Sequence, residues 1–243
     1  MTPTVRNLRF KIDGTLPKHW HGGRRSVTIF LDNLSVFFPA GERFFAKAVR
    51  AHQSFMKDEQ LMKEVRAFCG QEGVHGREHE RMNEMVRRQG YPIEAMEKRV
   101  EAILDRVSKR SPELAQLGVT CALEHFTALM GEMLLGSAGL LEGAHPAMVA
   151  LWRWHAAEEN EVRRHPPLRA RVVRAREVPL HRAGRDVTAL PALPRIFSPE
   201  LPPVGHHCAA LLESWRREFD EAPVYVRSAA AARTAPRELA VAS

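Results

Sequence analysis

Cysteine is scarce in this chain, and what there is does not pair. Cys69, Cys121 and Cys208 are odd in number and share no paired spacing. That excludes a disulfide framework and a Cys-x-x-Cys redox site, and it predicts a reducing, cytoplasmic setting. Long apolar runs are missing too. The longest, Val27 to Phe38, has twelve residues broken by Asp32 and Asn33, short of the roughly 20 needed to span a bilayer. The N-terminus has no basic stretch followed by an apolar core, so no secretory leader is expected. Absent as well are Gly-x-Ser-x-Gly, a Walker-type glycine loop and His-Glu-x-x-His, so no serine, cysteine or P-loop chemistry is nominated.

Net charge is lacking over the first two-thirds. Residues 1–162 hold 22 Lys+Arg against 21 Asp+Glu, whereas residues 163–243 hold 14 against 8, so +6 of the total +7 comes from the last third. A nucleic-acid surface needs basic residues clustered on an ordered face with aromatics among them. None is found, and nucleic acid is excluded as a partner.

What remains is a chain with 44% hydrophobic and 27% charged residues, the composition of a globular protein. Its patterning is helical. Residues 1–23 read as an arm or loop packed on the surface, with His19, Trp20 and His21 between turn-forming glycines and prolines. A helix is predicted from Ser26 to about Phe38, and Pro39 opens a second piece through about Ser54. Asp58 is the expected N-cap of a long helix to about Gln89. Residues 93–108 form a charged crossover helix. Ser111 and Pro112 open a helix through about Leu135, and Pro146 opens the next.

The long helix carries the informative stretch, QEGVHGREHE. Reading at helical spacing gives Leu61, Val65, Phe68, Glu72, His75, His79, Met82 and Val86, an apolar stripe with three metal-capable groups in its middle. Ionisable groups in a core-facing stripe cost several kcal/mol unless they are paired or bind metal; a cation and a buried salt-bridge network are the two solutions. Gly70, Gly73 and Gly76 each weaken this helix by about 1 kcal/mol, which suggests close approach of a backbone or ligand. Other helices repeat the theme. Glu42 shares a face with Phe45 and Val49, Glu124 with Leu117, Cys121 and Ala128, and Glu159 with Trp152 and Ala156; His155 is four residues before Glu159. Four carboxylates in successive helices, one of them in Glu-x-x-His, follow the pattern of a dinuclear carboxylate site in a four-helix bundle.

The segments LSVFFPAGERFF, FCGQEGVHGREHERMN, ALEHFTA and LWRWHAAEENE resemble the bacterial family called predicted metal-dependent hydrolases, over roughly residues 5–161. Their layout is also similar to that of the di-iron arylamine oxygenases. The resemblance implies an all-α, ferritin-like four-helix bundle. It implies Glu42, Glu72, His75, Glu124, His155 and Glu159 as ligands of two divalent metal ions, iron or manganese before zinc. His79, His125, Glu132 and Glu158 would orient ligands or move protons, His79 and Glu158 being the catalytic candidates. Three functions stay open: a metal-dependent hydrolase, a di-iron oxygenase, and a metal-impaired bundle. The expected partner is a small-molecule substrate, with a homodimer as the assembly considered.

The resemblance ends abruptly. Family members continue Glu-Asn-Glu-His, but here Glu161 is followed by Val162 and then by Arg-Arg-His-Pro-Pro. The last 81 residues hold ten of sixteen prolines and fourteen arginines without a lysine. Domains are therefore expected as an arm at 1–23, a metal-binding bundle at 24–162, and an Arg/Pro-rich, mostly irregular tail at 163–243 with one short helix at 209–219. A lost ligand, a lost helical period and this composition together suggest a shifted reading frame from about residue 162. Translation of the other two frames of the gene is expected to restore a helix beginning with His. If neither frame does so, the tail is a genuine divergent one.

Overall fold

Pro39 does not divide the first helix. In the computed structural model, which describes residues 3–163, helix α1 runs over Arg25–Arg50 with Pro39 inside it. The expectation of two pieces is thus corrected, and the reason is local. A helical proline has no N–H for the carbonyl four residues back. Here that carbonyl, of Ser35, accepts from Asn83 Nδ2 on the neighbouring helix at 3.4 Å. One continuous helix puts Thr28, Asp32, Ser35, Pro39, Glu42, Ala46 and Val49 on a single buried stripe.

A 3₁₀ turn at Gln53–Phe55 leads to α2, Glu59–Arg88. Asp58 caps it as expected, accepting from the N–H groups of Gln60 at 2.8 Å and Leu61 at 3.1 Å. The predicted stripe from Leu61 to Val86 is buried along its whole length. Helix α3, Ile93–Arg110, buries only Ile93 and Val100 and lies against α1, α2 and α4. It is the crossover between α2 and α4. Helix α4 spans Glu113–Gly136; Pro112 rather than Ser111 stands at its N-cap position, and no side chain caps it. Helix α5 spans Pro146–Arg163. Five α-helices and no strand occur among the described residues, so the all-α expectation holds. The predicted tail beyond residue 163, with its short helix at 209–219, lies outside them.

Helix α1 runs along α2 and α4 along α5, while contacts of α1 with α4 and of α2 with α5 close a four-helix arrangement. Two apolar clusters fill it. One contains Phe38, Val74, Met82, Met148, Leu151 and Trp154. The other contains Phe44, Phe45, Leu61, Val65, Phe68, Leu117 and Cys121, and no described residue of α5 joins it. The carboxylates and histidines lie between the two.

The N-terminal arm is not a surface loop. Leu8, Phe10, Ile12, Leu16, Trp20 and His21 are buried, and the ring of Phe10 packs 5.2 Å from that of Trp154. The physical reason is the nature of α5: between Ala147 and Glu161 only Val149 and Arg153 are not buried. A helix buried on nearly all sides needs a cover on each, and α4, the α1–α2 pair and the arm supply them. Polar contacts fix the arm in place. Glu78 Oε2 accepts from the Phe10 N–H at 3.1 Å, Trp20 Nε1 donates to Asp32 Oδ1 at 2.9 Å, and Arg77 donates to the carbonyl of Leu8. Phe10→Ala is expected to lower stability by about 3–5 kcal/mol, read as a reduced midpoint in urea unfolding. A change under about 1 kcal/mol would show that the arm only rests on the bundle.

Candidate metal centre

The ligand candidates reach one interior from four directions. Helix α1 brings Glu42, α2 brings Glu72 and His75, α4 brings Glu124, and α5 brings His155 and Glu159; none is more than 4% exposed. Gly76 permits the close approach of α1 to α2. A Cβ there would stand 3.1 Å from Glu42 Oε2 and 3.7 Å from the Pro39 Cα. Gly131 does the same for α4 and α5, where a Cβ would meet the Ala156 carbonyl oxygen at 2.8 Å. Of the other glycines in the α2 run, Gly70 faces Val5 of the arm, while a Cβ at Gly73 would meet nothing within 4 Å. Close approach therefore explains two of the three.

Two sets of donor atoms converge, Glu42 with His75 and His155, and Glu72 with His75 and Glu159, each with its donor atoms within 4.8 Å of one another. Glu159 Oε1 lies between the imidazoles, 3.1 Å from His155 Nε2 and 3.7 Å from His75 Nδ1. Its other oxygen accepts from Thr127 Oγ1 at 2.5 Å. By contrast, both oxygens of Glu42, both oxygens of Glu72 and His75 Nδ1 are buried without a hydrogen-bond partner. Burial strongly disfavours such unsatisfied groups. A cation is the partner that suits acceptors and only acceptors, so the donor set fits a metal.

The outer atoms of both histidines are occupied. His75 Nε2 is 2.9 Å from Glu158 Oε2, and Arg6 Nη1 donates to Glu158 Oε1 at 3.1 Å while forking onto Glu161 at 2.9 Å twice. His155 Nδ1 meets His79 Nε2 at 2.7 Å. His79 and Glu158 therefore sit behind the ligand candidates. Glu124 belongs to neither convergent set, and nor do His125, half-buried one residue round from it on α4, and Glu132.

Electrostatics follow from burial. Desolvation first, then the charges of Glu159 and Glu124, push Glu42 well above the usual carboxylate range. Glu72 is raised by the same kind of burial and by Glu124, Glu159 and Glu42, which places the Glu124 charge close to both. Glu158 is pushed up to about 8 by burial, against the pull of Arg6. Burial works against the charged form of Glu159 too, but the His155 imidazole beside it prevails and its pKa is lowered. His75 and His79 are held well below the usual imidazole range by burial and by His155.

Arg6, Ser35, Asn83, Thr127 and Glu161 complete the surroundings and were not singled out from the sequence. Ser35 stands seven residues before Glu42, Asn83 four after His79, and Thr127 three after Glu124. Helical phase pointed to all three once α1 was continuous. Arg6 carries no such signal, because the arm has no period.

Described residues that are helical throughout, with buried carboxylates and histidines gathered between two pairs of helices, are by fold and site of the class of helical bundles able to hold metal in the interior. The family comparison agrees: the family described as "Predicted metal-dependent hydrolase" matches residues 4–165. The chain belongs to that family. Comparison with curated proteins and with solved structures gave no match. Among the described residues no helix is long and apolar enough to cross a membrane.

The raised carboxylates set the pH response of the metal-free protein. Unfolded, Glu42, Glu72 and Glu158 release their protons near pH ~4.3; folded, they keep them to higher pH, Glu158 to about 8. The unfolded chain then binds fewer protons, so stability falls as pH rises. His75 and His79 act oppositely, but their contribution is complete above the unfolded histidine value of about 6.5. Metal-free protein should therefore lose stability most steeply from about pH 6.5 through about 8. Denaturant titrations across that window, with and without added metal, test this; a metal-free stability that rises with pH would contradict it.

Proposed function

We propose that this chain is a hydrolase acting through two metal ions, with Glu42, Glu72, His75, Glu124, His155 and Glu159 as their ligands in a ferritin-like bundle. The observation that carries the reading is the set of five buried acceptor atoms, on Glu42, Glu72 and His75, that have no hydrogen-bond partner. Two centres are favoured over one because the donor atoms fall into two sets, Glu42 with His155 and Glu72 with Glu159, that have only His75 in common. Glu159, whose Oε1 lies near both imidazoles, would be held among the ligands of these ions.

When bound, the metals supply a water of lowered pKa and polarise a carbonyl or phosphoryl oxygen. The chain's residues do the rest. Arg6 holds Glu158, and Glu158 holds the rear nitrogen of His75, leaving Nδ1 toward the centre. Thr127 holds one oxygen of Glu159 and leaves the other between the histidines. His79 and Glu158 are thus positioning residues, one behind each ligand histidine. A small opening lined by Leu34, Phe38, Met130, Gly131 and Leu134 is also lined by Thr127, His155 and Glu159, and it is the route for a small-molecule substrate. The low cysteine content supports a cytoplasmic setting.

The donor set itself supports a second reading. Four carboxylates against two imidazoles suit iron or manganese better than zinc, which favours oxygen chemistry of the di-iron oxygenase type. A third, metal-impaired reading rests on valine at residue 162, where the family has histidine.

Metal analysis of the purified protein, with absorption spectra before and after admission of air, separates these. Two metals per chain with no air-dependent band is the result expected of the hydrolase. Two irons with an oxygen-dependent near-ultraviolet band would transfer the assignment to the oxygenase. Glu72→Gln, isosteric but neutral, is expected to lose at least one metal and to leave the metal-free protein no less stable, because an uncompensated buried carboxylate has been removed. No metal in the wild type, and unchanged stability in Glu72→Gln, would leave only the impaired bundle.

A further inference from the structure

Behind His155 the polar contacts do not stop at His79. They continue through Ser35 on α1, Asn83 on α2 and Glu97 on α3. His155, His79, Ser35 and Asn83 are each buried to within 2% exposure, whereas the Glu97 side chain is 26% exposed and lies 3.6 Å from Arg87 Nη2. The chain thus joins the candidate metal centre to the protein surface.

Its direction can be worked out from the outer end. Asn83 Nδ2 stands 3.1 Å from Glu97 Oε1 and 3.4 Å from the Ser35 carbonyl oxygen, two acceptors, so this side of the amide is the donor side. Oδ1 therefore faces Ser35 and accepts from Ser35 Oγ at 2.8 Å. A hydroxyl has one proton to donate. With that proton given to Asn83, Ser35 Oγ can only accept from His79 Nδ1, 2.9 Å away. Neutral His79 must then carry its proton on Nδ1 and accept at Nε2, where His155 Nδ1 stands at 2.7 Å. His155 Nδ1 is accordingly the donor. Only Nε2 of His155 is left for coordination, and it faces Glu159 Oε1 at 3.1 Å and Glu42 Oε1 at 3.7 Å.

We propose that Ser35, Asn83 and Glu97 are positioning residues that, through His79, fix the tautomer of His155 and present its Nε2 to the metal centre. The inference rests on the metal-site reading given above and assigns roles to three residues outside the ligand set. It mirrors the other side of the site, where Arg6 and Glu158 do the same for His75. A second layer of hydrogen bonds commonly orients metal-binding histidines, and its removal weakens metal affinity about 10–100-fold.

The test uses the full chain, with ¹⁵N-labelled histidine and cobalt(II) as probe. In the metal-free wild type, imidazole nitrogen shifts should show His79 protonated at Nδ1 and unprotonated at Nε2. That is the reverse of the tautomer that free neutral histidine prefers, so packing alone would not select it. Ser35→Ala should return His79 to the Nε2–H form and weaken cobalt(II) binding about 10–100-fold. Glu97→Gln, at the exposed end and no threat to folding, should give a smaller loss in the same direction. Should Ser35→Ala fail to fold, the wild-type spectrum and Glu97→Gln still decide. His79 found protonated at Nε2 in the wild type overturns the proposal. So does cobalt(II) binding unchanged in both variants while Glu72→Gln loses it, an outcome that leaves the metal-site reading standing. A wild type that takes up no cobalt(II) removes that reading and this proposal with it.

Discussion

Buried carboxylates without a hydrogen-bond donor constrain everything else in this molecule. Glu42 and Glu72 turn all four of their oxygens into the interior, where Glu124 and Glu159 add further charge. Left alone, such groups hold protons and weaken the fold as pH rises. Supplied with cations, as proposed, they would tie together the helices that carry them. The same atoms are thus a liability without metal and a fastening with it.

Most of the surrounding structure keeps those donors aimed. Gly76 and Gly131 let the helices approach closely enough for side chains from opposite pairs to converge. Each candidate ligand histidine is held from behind by a chain of polar groups, His75 by Glu158 and Arg6, His155 by His79, Ser35 and Asn83. The N-terminal arm belongs to this machinery as much as to the core. It brings Arg6 to Glu158 and Glu161, and it covers the side of α5 that no helix covers. The stretch QEGVHGREHE serves both faces at once: Glu72 and His75 look into the centre with His79 behind His155, while Gln71, Arg77 and Glu78 bind the arm.

The helices and ligand candidates were legible because a period of 3.6 residues is a local property. In α2, eight positions from Leu61 to Val86 shared one stripe in the sequence and share one buried face in the fold. Reading failed where the deciding contact was distant. Pro39 reads as a break because its lost hydrogen bond is visible in the sequence, whereas the replacement donor, Asn83, lies 44 residues on. That break concealed the phase relation of Ser35 to Glu42. The arm was placed on the surface because turn residues dominate it, and the near-complete burial of α5, which recruits it, is not a periodic signal.

The sequence by itself determined the helical class, the two-thirds of the chain that matches the metal-dependent hydrolase family, and the residue types able to hold metal, since each follows from neighbours a few positions apart. Only the tertiary structure decided which nitrogen of each histidine faces the centre, which oxygens lack a partner, and which residues stand behind the ligands. Those are relations between helices brought together by packing, and no local period encodes them.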